Sequence, residues 1–235
     1  MTDILIFTHI DYCPPAHLGK VLAQAGHAFT VLRADLGELE GIDLDRPKAV
    51  AIMGGPMSVN DPLPWLQTEV AALQHLIRRD IPLIGHCLGG QLLAKALGAD
   101  ITRMPYTESG WQPLSRLDQA APSPWLQHLP AQFAMFQWHG DSFAIPAGAQ
   151  PLLGSPWCSN QAFAWGDKLL ALQGHPEMDE ALVRQWLGDW HHLLDDSQPS
   201  QQSRAQMLEG LPAKIAELNR VAEGFYRHWL YLAGL

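Results

Sequence analysis

"LIGHCLGGQLLAK", residues 83–95, decides how the rest of the chain is read. An apolar run ends at Gly85, a single cysteine stands at position 87, and a helix-forming run begins directly after it with Gly89. The apolar run, read as 81–86, has the length and composition of a buried strand, and residues 88–99 carry the apolar spacing of a helix. A strand, a tight glycine-flanked turn and a helix together form a nucleophile elbow, which lifts one side chain above the edge of a sheet. The unpaired N–H groups and dipole of the following helix favour a thiolate there. The same N–H groups, Leu88 foremost, can receive an oxyanion. A free cysteine at a strand end also serves as a small buried hydrophobe; the glycine spacing favours the nucleophile.

Outward from the elbow, the pattern repeats. Apolar runs at 3–9 and 48–55 and the alternating stretch at 27–34 read as strands, and residues 15–25 as a helix stopping at Gly26. Asp61 and Pro62 are the expected N-cap and first residue of a helix running to Arg79. Strands alternating with helices predict an α/β chain, its mainly parallel sheet covered on both faces. The second half is less regular, with strands expected at 111–117, 132–139, 161–166 and 168–175. The last two are joined by a hairpin at Gly166-Asp167. A helix over 178–194, a polar loop over 195–203 and an amphipathic helix over 204–232 complete the chain. The reading is a principal domain over 1–195, with 196–235 packed on it. The stripe Leu208, Leu211, Ile215, Leu218, Phe225, Trp229 on the last helix reads as core, with a dimer face as the other use.

Composition narrows the function. A formal net charge of −9 without any run of Lys or Arg argues against nucleic acid as a partner. No apolar stretch approaches the length of a membrane helix, and the first residues lack the basic region of a signal peptide. Three widely spaced cysteines, Cys13, Cys87 and Cys158, suit neither a disulfide framework nor a zinc site, so reduced thiols and a cytoplasmic location are expected, with no metal and no cofactor.

A thiol nucleophile needs a base and a group to orient that base. "LQGHPEM", residues 172–178, supplies both. Pro176 biases His175 toward an extended backbone, in which residues two apart share a side, so Glu177 is expected beside the His175 ring. "MGGPMSVND", residues 53–61, follows a strand expected beside the cysteine strand, and Gly54 and Gly55 leave backbone N–H groups open to a ligand.

With these three segments in this order, the sequence resembles the class I glutamine amidotransferases, whose patterns are Gly-Gly-Pro (Gly54-Gly55-Pro56), G-x-C-x-G-x-Q (Gly85 to Gln91) and H-P-E (His175-Pro176-Glu177). The resemblance implies a flavodoxin-like three-layer fold. It implies that Cys87 attacks the side-chain amide of glutamine or another γ-glutamyl compound. Gly55 and Leu88 then hold the oxyanion, His175 handles the protons and Glu177 orients His175. It places Gln91 against the substrate, along with Gly54 and, from "QWHGDSF" (137–143), Trp138, His139 and Asp141; Glu108 of "ESGW" is the expected partner of the substrate's α-ammonium. His86 departs from the family's apolar residue before the cysteine, either as a sheet-end histidine or as a group tuning the thiol. No ammonia-consuming domain is legible, so ammonia goes to a separate synthetase subunit, or the chain is a γ-glutamyl hydrolase or peptidase. "GHCLGG" also fits the dienelactone-hydrolase pattern, but that fold wants its acid between cysteine and histidine. A regulatory protein on the same scaffold is the non-enzymatic alternative.

Overall fold

The computed structural model of the chain describes residues 2–118, 123–127, 129–195 and 197–235. "ILIFT" forms β1 (Ile4–Thr8), every residue of it buried, which is the signature of a strand covered on both faces. Around it lie β2 (Phe29–Arg33), β3 (Ala49–Ile52), β4 (Leu83–His86) and β9 (Leu169–Leu172), all parallel. Beyond β9 the sheet turns antiparallel through β8 (Ala162–Trp165), β7 (Gln150–Gly154), β5 (Ile101–Arg116) and β6 (Gln132–Phe143). The order is β2-β1-β3-β4-β9-β8-β7-β5-β6. The sheet is thus parallel in one half and antiparallel in the other, more mixed than the sequence pattern suggests.

The period of two along each central strand divides the core. Ile4, Ile6, Ala51 and Leu170 face one layer of helices, while Leu5, Phe7, Val50 and Ala171 face the other. The first layer contains α1 (Ala16–Gln24), α4 (Glu180–Asp189) and α6 (Leu211–Leu232). The second contains α2 (Pro64–Arg78) and α3 (Leu88–Ala96). The result is a three-layer α/β sandwich, and no described helix is long and apolar enough to cross a membrane.

Four local expectations need correction. The helix α2 starts at Pro64 rather than Pro62. Asp61 instead closes the preceding turn, accepting from the Ser58 N–H at 2.9 Å, and the second proline supplies the preset φ of the first helical position. The strands β5 and β6 are longer than expected, and β7 was not legible at all. The helix expected over 204–232 is two, α5 (Arg204–Leu208) and α6, separated at Gly210, which has φ 61°. The apolar stripe of α6 is packed within this chain: Leu211, Leu218, Phe225 and Trp229 are buried in the core. Residue 196, in the expected polar loop, lies outside the described residues.

Candidate active site

The parallel strands β1, β3, β4 and β9 all end on one rim, where an open α/β sheet binds its ligands. Cys87 stands there between β4 and α3 with φ 50° and ψ −109°, a backbone conformation that L-residues avoid. Its N–H donates to the Leu172 carbonyl at 2.8 Å, which ties the elbow to the end of β9. The helix α3 sits unusually close to the sheet. A Cβ on Gly89 would fall 2.2 Å from the Ile52 carbonyl oxygen, and one on Gly90 would fall 2.5 Å from that of Leu172. Only glycine fits such an approach, and it brings the first-turn N–H groups of α3 to the sheet edge beside the sulfur.

His175 follows β9, which ends at Leu172 instead of running to the histidine. The segment is a turn rather than extended chain. Met178 N–H reaches back toward the His175 carbonyl at 3.5 Å, with Pro176 at the first corner, where its fixed φ suits a turn. The turn still sets Glu177 beside the ring: His175 Nδ1 lies 2.8 Å from Glu177 Oε1. That leaves Nε2 as the ring atom available to Cys87. Gly54 packs behind both, since a Cβ on it would fall 3.0 Å from His175 Cε1 and 3.6 Å from Cys87 Cβ.

Charge organises these groups. Burial works against a charged His175, but the Cys87 sulfur and the Glu177 carboxylate outweigh it and push its pKa up to about 10. Burial likewise disfavours ionised Glu177, yet the charges of His175 and His86, with the hydrogen bond from His175, hold it well below the usual carboxylate range. His86 therefore faces the acid: its Nδ1 lies 3.1 Å from Glu177 Oε2, both side chains buried. The other two thiols are pushed up by burial first, Cys13 further by Glu177 and Cys87.

A cleft of about 1100 Å³ opens over the sulfur, lined by Cys87, His175, Gly55, Gln91, Trp138, His139 and Asp141. Gln91 is fixed by Nε2 donating to the Asp141 carbonyl and to Gln173 Oε1, each at 3.2 Å. Asp141 accepts from Ser58 at 2.6 Å and His139 Nδ1 meets the Asp141 carbonyl at 2.9 Å, so the 137–143 segment is braced. Glu108 is not in the cleft. It is fully buried, its carboxylate taken by His139 at 2.9 Å, Ser155 at 2.6 Å and Gln161 at 2.6 Å. An α-ammonium group would have to break that network, so Glu108 braces His139 instead. Glu108, His139 and Cys158 also form the one group with metal-ligand spacing among the described residues, within 4.8 Å; the His139 bond holds the first two together, and Ser155, which accepts from the Cys158 N–H at 2.9 Å, links the third to Glu108.

Sequence reading missed several neighbours. Trp186 stands edge-on to the His175 ring at 4.9 Å and donates to the Tyr12 carbonyl at 2.7 Å; with Trp138 and Trp190 it walls the cleft. His9 and Glu69 lie buried beneath Gly54. A histidine directly after a buried, mostly apolar parallel strand, as His9 follows β1, is the signal that would have found the first of these. Glu69, in the middle of α2, gives none.

The likenesses to known proteins agree with this arrangement. A solved structure of a glutamine amido transferase from Methylobacillus flagellatus superposes with a TM-score of 0.92 at 37% identity, covering 97% of this chain and 94% of that one. The glutamine amidotransferase-like protein YfeJ of Salmonella typhimurium is 27% identical over 76% of this chain and 77% of its own length. A GMP synthase [glutamine-hydrolyzing] of Aeropyrum pernix is 31% identical over 76% of this chain, which spans only 34% of that protein. Residues 16–184 match the family described as glutamine amidotransferase class-I, and on that match across most of its length the chain belongs to that family.

Proposed function

We propose that the chain hydrolyses the γ-amide of glutamine, or of a related γ-glutamyl compound, through a thioester on Cys87. The observation that carries this reading is the placing of three groups: His175 Nδ1 lies 2.8 Å from the buried Glu177 carboxylate, and the same imidazole lines one open cleft with the strained Cys87. In the first half, the Cys87 sulfur bonds to the γ-carbon and the carbonyl electron pair moves onto oxygen, toward the N–H groups of Gly55 and Leu88. His175 gives its Nε2 proton to the amide nitrogen, the C–N bond breaks, and ammonia or an amine leaves. In the second half, neutral His175 takes a proton from water as its oxygen bonds to the thioester carbon. Collapse expels the thiolate, leaving glutamate and a reprotonated His175. Glu177 stabilises the imidazolium at both stages. Gln91, Trp138, His139 and Asp141 are the residues against which the glutamyl moiety rests.

The ammonia acceptor, on this reading, is a separate synthetase subunit. A γ-glutamyl hydrolase or peptidase is the second reading, favoured by a cleft walled by Tyr12, Trp138, Trp186 and Trp190 that is wide enough for a leaving group larger than ammonia. The test is a panel of glutamine, γ-glutamyl amides and peptides, and a lactone, scored for ammonia, amine or acid release. Turnover of glutamine that rises with a partner subunit supports the amidotransferase, and turnover of γ-glutamyl peptides alone supports the hydrolase. Hydrolysis of the lactone alone, or inertness of Cys87 to a glutamine-like diazo-ketone in folded protein, refutes both.

A further inference from the structure

His9, directly after β1, is wholly buried, and its two ring nitrogens have partners on opposite sides. Nδ1 lies 3.0 Å from the Gly54 carbonyl oxygen, and Nε2 lies 3.0 and 3.1 Å from the two oxygens of Glu69, itself wholly buried in α2. A carbonyl and a carboxylate only accept, so both nitrogens carry hydrogen and the ring is an imidazolium. Trp65 stacks on it at 5.5 Å and 23°. Burial by itself disfavours the charge on His9; the charge and hydrogen bond of Glu69, then the Gly54 carbonyl, overcome it.

The Gly54 carbonyl belongs to the same peptide unit as the Gly55 N–H. That unit is planar and trans, so fixing where the oxygen points fixes the N–H on the opposite side. Two glycines leave this peptide little steric hindrance to turning over, so its orientation must be imposed from outside. A buried ion pair is a poor means of gaining stability, since apolar residues of equal volume do as well or better. We infer that His9 and Glu69 are positioning residues: the buried pair grips the Gly54 carbonyl and thereby aims the Gly55 N–H into the cleft, presetting the oxyanion site. This rests on the reading that Gly55 receives the oxyanion. Neither residue touches substrate.

The test compares the intact protein with His9→Phe/Glu69→Leu, which removes both charges and the donor, and with His9→Asn/Glu69→Leu, whose amide N–H can reoccupy the place of Nδ1. An oxyanion forms only in the transition state, so the first variant should lose about 10²-fold in kcat for glutamine with KM little changed, and the asparagine variant should recover most of it. Alkylation of Cys87 by iodoacetamide displaces iodide at a saturated carbon and forms no oxyanion, so its rate should hold in all three. If the first variant does not fold, His9→Leu/Glu69→Met replaces it. A folded apolar pair with intact kcat overturns the inference, as does a loss that alkylation shares or that asparagine does not restore. If the intact protein hydrolyses no γ-glutamyl amide, the functional reading fails by itself. The inference is then decided by the Gly55 amide resonance in 15N-glycine-labelled protein, which should move in the apolar pair and return with asparagine; an unmoved resonance overturns it.

Discussion

His86 lies with Nδ1 3.1 Å from Oε2 of Glu177, so the residue before the cysteine faces the acid. Glu177 is thereby flanked by two imidazoles, His175 on Oε1 and His86 on Oε2. Replacing His86 with leucine keeps the buried volume and removes one of the two groups that fix the carboxylate. Glu177 stays paired with His175, but with its rotation less constrained the base is aimed less well. The expected result for His86→Leu is a fall in kcat of about tenfold, or ~1.4 kcal/mol, with the rate of Cys87 alkylation little changed. Equal losses in both would place His86 in direct touch with the sulfur.

The strain at Cys87 gives a second prediction. With φ 50° and ψ −109°, the position suits glycine far better than any residue with a Cβ. Strain of this kind costs ~1–3 kcal/mol, and glycine's extra freedom in the unfolded chain takes back part of it. Cys87→Gly should therefore be about 1 kcal/mol more stable than Cys87→Ala by denaturant unfolding, although both lack turnover. Equal stabilities would mean that the elbow stores no strain.

The grouping of Cys87, His175 and Glu177 was legible because each sits in a short pattern of its own, glycines around Cys87 and proline between His175 and Glu177. The parallel half was legible for a similar reason: β1, β3, β4 and β9 are buried on both faces and read as short, mostly apolar runs, while β2 at the edge shows alternation. The antiparallel half has one long hairpin, β5 with β6, whose register shifts between Arg103 and Glu108, and no period of two survives such an irregularity. Side-chain pairs made across the fold were hidden altogether. His9 and Glu69 are 60 positions apart, and neither flanking sequence marks the other. Glu108 shows the opposite failure: its segment resembled a family pattern, but burial with His139, Ser155 and Gln161 assigned its carboxylate elsewhere.

The pKa of His175 sets a pH limit. In the proposed mechanism its imidazolium delivers the proton to the leaving nitrogen, so hydrolysis should persist until the pH rises through about 10. Glu177→Gln removes a charge that raises this pKa, while burial continues to lower it. The alkaline limb of kcat should then move down toward the ordinary histidine value of about 6.5. Stability follows the same signs. The raised His175 contributes stability that is complete below about pH 6.5 and lost as the pH climbs through its folded value. The depressed Glu177 contributes stability present above about pH 4.3 and lost as the pH falls through its own. The stability gap between the intact protein and Glu177→Gln should be widest between those two values. An unmoved alkaline limb would mean that another group supplies the proton.

Two glycine-to-alanine substitutions should have opposite signs. Gly188, in α4, has nothing within 4 Å of the position a Cβ would take, so alanine there removes only the entropic cost of glycine in a helix. Gly188→Ala should stabilise the fold by about 0.5–1 kcal/mol and leave hydrolysis unaltered. At Gly90 the new methyl would meet the Leu172 carbonyl oxygen at 2.5 Å, and that oxygen also receives the Cys87 N–H. Backbone on both sides cannot yield as a flexible side chain would, so α3 must move away from β9. Overpacking of this kind costs ~1–3 kcal/mol. The displaced parts are the first turn of α3 and Cys87 itself, and a shift of about 1 Å in such groups can reduce kcat by ~10²-fold. Unfolding and steady-state kinetics on the two variants check both arms; a Gly90→Ala protein with intact kcat would show that the close seat of α3 on the sheet serves packing alone.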